Sequence, residues 1–152
     1  MKIAKSAVVL AVPNGVGALF GLVSSYFIFP DEKSAAVCIN KSSDMHTAIE
    51  EAGQFVMNLL GQNQEQLARR LKCGYDDHLQ AKKNVSDNSL FEIDGSQGII
   101  SCEVVNSSNH DEYTIFSAKI LQKKFSRSQP LLDFNGGLFG LFTLDFVYQL
   151  PS

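Results

Sequence analysis

The longest uncharged stretch of the chain, residues 6–30, is interrupted in its middle by Pro13, Asn14 and Gly15. A stretch of this length is long enough for a membrane helix, and after two lysines it also resembles a signal peptide. Proline and glycine disfavour one continuous helix here, whereas Asn-Gly between two apolar segments favours a β-hairpin. We therefore expect strands at 6–12 and 18–25 joined by a turn at 13–17, with no membrane span and no export.

The spacing of the apolar residues changes after residue 40. A loop at 27–33 and a short apolar strand at 35–40 come first. Met45, Ile49 and Ala52 then recur at helical spacing, which predicts a helix at 44–52 that is N-capped by Ser42 or Ser43. The remaining segments predict a strand at 54–60, a helix at 62–71, a polar loop with at most one short helix at 73–94, long strands at 98–106 and 113–125 joined by a turn at 106–109, and strands at 129–133 and 138–147.

This order of elements predicts a mainly β fold with inserted helices. Two helices within an otherwise β chain do not make a doubly wound α/β protein, so a closed or nearly closed barrel decorated by helices is the better interpretation. The 152 residues suit a single domain over 1–152.

Composition narrows the function classes. Thirteen basic against sixteen acidic residues give a net charge of −3, which argues against nucleic acid as a partner. The spacing of the three cysteines matches no metal or redox motif. Because Cys38 and Cys102 lie within apolar runs, we expect these two to be buried free thiols, and we expect a reducing, cytoplasmic location. The three histidines are too scattered for a metal site, and no catalytic motif is present. A Cys-His dyad stays open, although nothing in the pattern favours it.

Two polar segments are candidate binding residues. Asn40, Lys41, Ser42 and Ser43 lead from a strand into a helix whose first N–H groups lack intrahelical partners, and these groups with the lysine would suit a phosphate. On local sequence alone, simple helix capping with a solvated lysine is the favoured interpretation. At the end of the second strand, residues 24–25 are two serines, read either as ordinary strand-end residues or as hydroxyls that face a planar ligand at the mouth of a barrel.

Seven motifs follow one another over nearly the whole chain, at 21–26 (GLVSSY), 37–43 (VCINKSS), 55–60 (FVMNLL), 66–71 (QLARRL), 101–104 (SCEV), 114–116 (TIF) and 130–132 (PLL). In this order and spacing the sequence resembles the flavin reductase family, the FMN-binding split-barrel proteins. The resemblance implies a Greek-key-like split β-barrel, a homodimer with FMN or FAD near its interface, NADH or NADPH as hydride donor to flavin N5, and supply of reduced flavin to a monooxygenase.

The resemblance also assigns residues. The implied cofactor-binding residues are Val23, Ser24, Ser25, Tyr26 and Asn40 around the flavin ring, Lys41, Ser42 and Ser43 at the phosphate, and Thr47 at the end of the same segment. Tyr113 is the candidate nicotinamide-side residue, at a place where the family often has histidine. No catalytic acid or base is implied, because the cofactors carry the chemistry.

Some positions depart from the family pattern, namely Leu22, Met45, Tyr113 and Leu138. Met45 replaces a frequent hydroxyl beside the phosphate. Flavin binding is therefore the firmer expectation, and efficient turnover with NAD(P)H the weaker one. Two alternatives stay open: a flavin-binding electron carrier without reductase turnover, and a β-barrel interaction module without a cofactor.

Overall fold

The fold is built on a seven-stranded antiparallel sheet, to which helices and a three-stranded sheet are added. In the computed structural model the residues described are 5–14, 17–23, 25–72, 91–134 and 137–140. The strands are β1 (Lys5–Ser6), β2 (Val8–Asn14), β3 (Gly17–Val23), β4 (Tyr26–Ile28), β5 (Ser34–Asn40), β6 (Gln54–Leu59), β7 (Gly98–Asn109), β8 (Tyr113–Phe125), β9 (Leu131–Phe134) and β10 (Gly137–Gly140); the helices are α1 (Asp44–Ala52) and α2 (Glu65–Lys72), the latter preceded by a 3-10 turn at Gln62–Gln64.

The large sheet curls into a barrel because its two outermost strands are consecutive in sequence. Its strand order is β3-β2-β6-β7-β8-β5-β4, so β3 and β4 form opposite edges. Val23 ends β3 and Tyr26 begins β4. Three residue steps span at most roughly 11 Å, so the two edges must lie close together. The prediction of a mainly β, barrel-like fold with inserted helices is confirmed.

The uncharged N-terminal stretch forms the β2–β3 hairpin, as predicted. The two strands pair from Val8↔Val23 to Asn14↔Gly17, so Pro13 and Asn14 belong to β2 and the predicted turn at 13–17 is too long. Residues 8–12 of β2 are all apolar because both faces of the strand are buried there. Among the described residues, no helix has the length and apolar character that a bilayer span needs.

Two apolar clusters cover the two faces of this strand pair. The first fills the barrel interior and includes Val8 and Leu10 of β2, together with Ile49 of α1. The second lies outside the barrel and includes Val9 of β2 and Leu67 of α2. The helix α1 thus closes onto the interior of the barrel, while α2 covers the outer face.

Both ends of α1 agree with the prediction. Ser43 is the N-cap, with extended backbone, and its Oγ accepts the His46 N–H at 3.3 Å. Gly53 ends the helix in the left-handed conformation at φ 65°, and its N–H donates to Ile49 O at 2.9 Å. A glycine suits this position because side chains disfavour positive φ.

Several predicted boundaries are wrong. Residues 27–28 belong to β4 rather than to a loop. The strand β7 continues to Asn109, so the turn lies at 110–112 instead of 106–109. The polar residues 106–109 continue the ladder because their pairing with β8 uses main-chain groups, with a register shift between Val104 and Asn106.

The C-terminal part of the predicted loop at 73–94 is also not a simple surface loop. Ile93 is fully buried, and its N–H donates to the buried side chain of Asn58 at 2.9 Å. Residues 73–90 lie outside the described residues. The predicted strand at 129–133 is β9, and the one at 138–147 overlaps β10, with residues 141–147 outside the described part of the chain.

Candidate functional site

A cleft of about 470 Å³ runs along the free edge of β3, between that edge, β5 and the start of α1. It exists because β4 leaves the line of β3 to pair with β5, so that among the described residues β3 pairs with β2 on one side only. Its lining is apolar along the strand and polar where α1 begins. The lining residues are Leu10, Leu19, Phe20, Gly21, Leu22, Val23, Cys38, Ile39, Asn40, Ser43, Asp44, Met45 and Leu71.

The polar end of the cleft is a tight turn organised by Asn40. Asn40 Oδ1 accepts the Ser42 N–H at 2.8 Å and the Ser42 hydroxyl at 2.7 Å. The Ser43 hydroxyl donates to Asn40 O at 2.8 Å and accepts from the His46 N–H. This turn, residues 40–43, is called the anion corner below.

These hydrogen bonds limit which groups of the anion corner could bind a phosphate. The Ser43 hydroxyl already donates its only proton and caps the helix, so the helix-cap interpretation is confirmed for Ser43. Ser42 is exposed, and its hydroxyl can turn from Asn40 to a ligand. Lys41 is exposed, and the N–H groups of the first helical turn lack intrahelical acceptors. Asp44 is an opposing feature, because its exposed carboxylate lies at the same helix end.

Of the other residues predicted to surround the flavin ring, some line the cleft and others do not. Val23 lines the cleft. The Ser25 carbonyl accepts from Cys38 N–H at 2.9 Å, and Ser25 is exposed on the opposite face of the sheet. Tyr26 donates its hydroxyl to Ser6 O at 2.6 Å, packs against the barrel interior and pairs with Val37 of β5, so it does not line the cleft. Ser24 lies outside the described residues, and Thr47 is exposed on α1 without lining the cleft.

A second cavity of about 340 Å³ lies on the outer face of β4, β5 and β8. Cys38 lines both this outer-face cavity and the cleft. Its neighbours Phe27 and Phe29 are 52% and 42% exposed and pack edge to face, with ring centroids 5.0 Å apart. The prediction that Cys38 is buried is wrong, since it is only half-buried.

Cys102 is the buried free thiol that the sequence predicted. It lies in the barrel interior, where burial raises the pKa of the thiol to about 12. The thiol is therefore neutral at physiological pH and takes no part in the cleft.

Tyr113 lies beside the anion corner. It pairs with Asn40 in the β5–β8 register, and the N–H of Lys41 donates to the adjacent Glu112 O at 2.9 Å. Its ring is 40% exposed and stacks on His110, with centroids 4.8 Å apart and an interplanar angle of 18°. By sequence His110 is only one of three scattered histidines, whereas in the fold it forms an exposed aromatic pair with Tyr113.

Sequence reasoning missed two residues of α1. Met45 is not merely a missing hydroxyl, since its side chain lines the cleft over Gly21. His46 is 8% exposed and bonds to Thr114, whereas the prediction treated it as one of three scattered histidines. His46 lies three residues after the N-cap and on the same side of the helix as Ile49, and this position was the sequence signal that its side chain is buried.

A family model described as the flavin reductase like domain matches residues 4–141. No curated protein matches the sequence. The fold is similar to that of the flavin reductase PheA2 in its native state, with a TM-score of 0.81 and 21% identity over 92% of each chain.

Two further solved structures support the same fold. BorF, the flavin reductase component of a bacterial two-component tryptophan halogenase, has a TM-score of 0.78 and 17% identity over 91% of each chain. The NADH:FAD oxidoreductase SgcE6 of Streptomyces globisporus C-1027, in complex with NAD and FAD fragments, has a TM-score of 0.76 and 17% identity over 90% of this chain and 85% of that one. Identities this low show the fold alone, whereas the family model covers most of the chain. The chain therefore belongs to the flavin reductase family of flavin oxidoreductases and has the family's split-barrel fold.

Proposed function

We propose that the chain is an NAD(P)H:flavin oxidoreductase that holds FMN, or the FMN part of FAD, in the cleft between β3 and β5. The observation that carries the proposal is that a largely apolar cleft ends at the polar start of a helix. Its volume of about 470 Å³ lies in the usual range of small-molecule sites, about 300–1,000 Å³.

The strand side of the cleft suits a planar ring. Leu19, Gly21 and Met45 offer apolar contact, and the edge of β3 offers main-chain N–H and C=O groups that no neighbouring strand uses within the part of the chain that the structure describes. These groups can pair with the polar edge of a heteroaromatic ring, as an added strand would. Main chain around 23–26 and 39–40 completes the frame in this proposal.

The anion corner suits the phosphate. Lys41 supplies a full positive charge, Ser42 a hydroxyl donor, and the first turn of α1 its free N–H groups. Ser43 contributes by holding the turn rather than by donating to the ligand. Asp44 lowers the affinity, so the site holds its anion with one opposing charge.

The exposed pair of His110 and Tyr113 is the proposed nicotinamide side, because it lies next to the anion corner and offers an aromatic surface. A bound flavin supplies the hydride acceptor, so the chain needs no acid or base of its own. Its residues bind the two nucleotides, orient their rings and keep water from the apolar part of the cleft.

We also propose a cytoplasmic homodimer that supplies reduced flavin to a monooxygenase. The exposed pair of Phe27 and Phe29, beside the outer-face cavity, supports a contact between copies. The role of BorF as the reductase component of a two-component system supports a partner enzyme.

A flavin-binding electron carrier is the second candidate, since Tyr113 stands where the family often has histidine. An anaerobic titration separates the two. We expect the visible flavin band to shift when FMN is added to the protein and to bleach when NADH or NADPH follows. No shift with either FMN or FAD would contradict both candidates. A bound flavin that neither nucleotide bleaches would contradict the reductase and leave the carrier.

A further inference from the structure

His46 joins the start of α1 to the tip of the β7–β8 hairpin through buried polar contacts. Its Nε2 lies 2.7 Å from Thr114 Oγ1, and the Thr114 hydroxyl donates to Asn109 Oδ1 at 3.0 Å. His46 is 8% exposed and Thr114 is 1% exposed, inside a barrel that is otherwise almost wholly apolar. Burying a polar side chain costs free energy unless the side chain is hydrogen-bonded, so the pairing of His46 with Thr114 offsets the cost of burying both.

The direction of these hydrogen bonds follows from the protons available. Thr114 gives its only hydroxyl proton to Asn109, so its oxygen accepts from His46, which must carry the proton on Nε2. The other ring nitrogen, Nδ1, lies 3.2 Å from Glu50 Oε1. The Glu50 side chain is 59% exposed and can turn away, so Nε2 makes the contact that matters.

The end of β7 is the less supported side of the hairpin tip. The strand β8 pairs with β5 as far as Tyr113, whereas the pairing of β7 with β6 ends at Glu103, and residues 105–113 are all exposed. Two residues reach the tip from the anion corner and the helix that follows it: the Lys41 N–H donates to Glu112 O, and His46 holds Thr114. Asn109 ends β7 and Thr114 is the second residue of β8, so the His46 contact fastens both strands beside the turn.

We propose that His46 is a positioning residue that holds the His110–Tyr113 pair in place against the anion corner and so sets the geometry of the nicotinamide nucleotide. The proposal rests on the proposed function. It separates two roles within one helix: the N-terminal turn of α1 holds the flavin phosphate, and His46 behind it fixes the surface that receives the hydride donor.

Thr114→Val is the sharpest test, because it removes the acceptor and keeps the shape. His46 is not stranded in this variant, since the other tautomer can donate from Nδ1 to Glu50. We expect kcat/KM for the nicotinamide nucleotide to fall about tenfold or more, as misplaced reactants do, while the Kd for FMN stays within about twofold. His46→Phe should behave like Thr114→Val, and His46→Gln, which keeps a side-chain donor, should recover most of the loss.

Ser107→Ala, exposed on the same tip, is the matched control and should leave both constants unchanged. Weaker FMN binding with an unchanged KM and kcat for the nucleotide would overturn the proposal and make His46 part of the phosphate site. So would equal effects of the phenylalanine and glutamine variants.

Amide hydrogen exchange without any ligand tests the anchor independently of activity. Exchange across 105–113 should quicken about tenfold or more in His46→Phe, which leaves the Thr114–Asn109 hydrogen bond in place, as well as in Thr114→Val, and stay unchanged in Ser107→Ala. If the wild-type protein does not oxidise NADH or NADPH, the proposed function has failed, and this exchange result still decides whether His46 holds the tip. Unchanged exchange in Thr114→Val would overturn the proposal even in an active enzyme.

Discussion

Met45 lies directly over Gly21, so closely that a Cβ on residue 21 would come within 2.7 Å of the Met45 Cε. Met45 is the second residue of α1, and its side chain points back to the edge strand rather than out to the phosphate position. The absence of a side chain at residue 21 therefore makes room for the thioether that forms part of the cleft lining.

Gly21→Ala should push the Met45 side chain out of its rotamer and into the cleft. FMN would have to move the displaced thioether out of the cleft into an unfavourable rotamer, which costs about 0.5–1.5 kcal/mol, so we expect FMN to bind about two- to tenfold more weakly. Gly17→Ala on the same strand is the matched control, since nothing lies within 4 Å of a Cβ there. Fluorescence titration of both variants makes the comparison. The double variant Gly21→Ala/Met45→Ala should bind like Met45→Ala alone, and additive losses would show that the two residues act separately.

Asp44→Asn should strengthen FMN binding. The carboxylate lies at the helix end that would face the phosphate, and a charge there is worth about 0.3–1 kcal/mol. We expect FMN to bind about two- to fivefold more tightly and riboflavin to bind equally well. Glu51→Gln makes the same charge change in the last turn of α1 and should alter neither ligand. Equal gains for both flavins in calorimetric titrations would place the phosphate elsewhere.

The bounds of α1 could be predicted from the residues at its two ends, whereas its buried contacts could not be predicted. Ser43 and Gly53 bracket an apolar helical pattern, and caps of this kind act within a few residues of the chain. His46 looked like a polar residue on a short helix, because its partner Thr114 lies 68 positions away. The spacing of His46 from Ile49 indicates burial, but the local pattern carries no sign of the distant strand that supplies its hydrogen bond.

The same contrast holds for the strands. Pro13 and Asn14 predicted the β2–β3 hairpin, and the order of the motifs along the chain predicted the barrel. The polar residues 106–109 at the end of β7 predict a turn by their side-chain chemistry, yet they form a ladder that depends on pairing with β8. Residues 40–43 form the predicted strand-to-helix turn, and anion binding there stays a prediction; the use of Ser43 as a cap rather than a donor required the geometry of Asn40.

Cys38 should be protected from alkylation by bound flavin. It is half-buried and lines the cleft and the outer-face cavity, so iodoacetamide can reach it in the free protein. We expect FMN to slow its labelling several-fold, measured by mass spectrometry of the digested protein. Cys102 serves as the internal control, because its buried, neutral thiol should stay unlabelled in the folded protein with or without FMN. Labelling of Cys38 that ignores saturating FMN would contradict the placement of the ligand.

Cys102 should make the fold less stable in alkaline solution. Burial raises its pKa from 9.0 to about 12, so above pH 9 the unfolded thiol loses its proton while the folded one keeps it. Relative to Cys102→Ala, the wild-type free energy of unfolding should fall by up to about 1.4 kcal/mol per pH unit between pH 9 and 12. Urea unfolding of both proteins at pH 8 and 10.5 measures the difference, and a gap that does not change with pH would contradict the burial of this thiol.

The most direct test of the anion corner is the affinity of Lys41→Ala for FMN and for riboflavin, which lacks the phosphate. Removing the cation should weaken FMN by about 1–3 kcal/mol, or roughly 5- to 150-fold, the range for a hydrogen bond to a charged group. Riboflavin should lose less than about twofold, because its ring contacts are kept. Lys33→Ala removes the same charge at the far end of β5, roughly 25 Å along the strand, and should change neither ligand. A selective loss for FMN is the predicted result, and equal losses for FMN and riboflavin in Lys41→Ala would contradict the account.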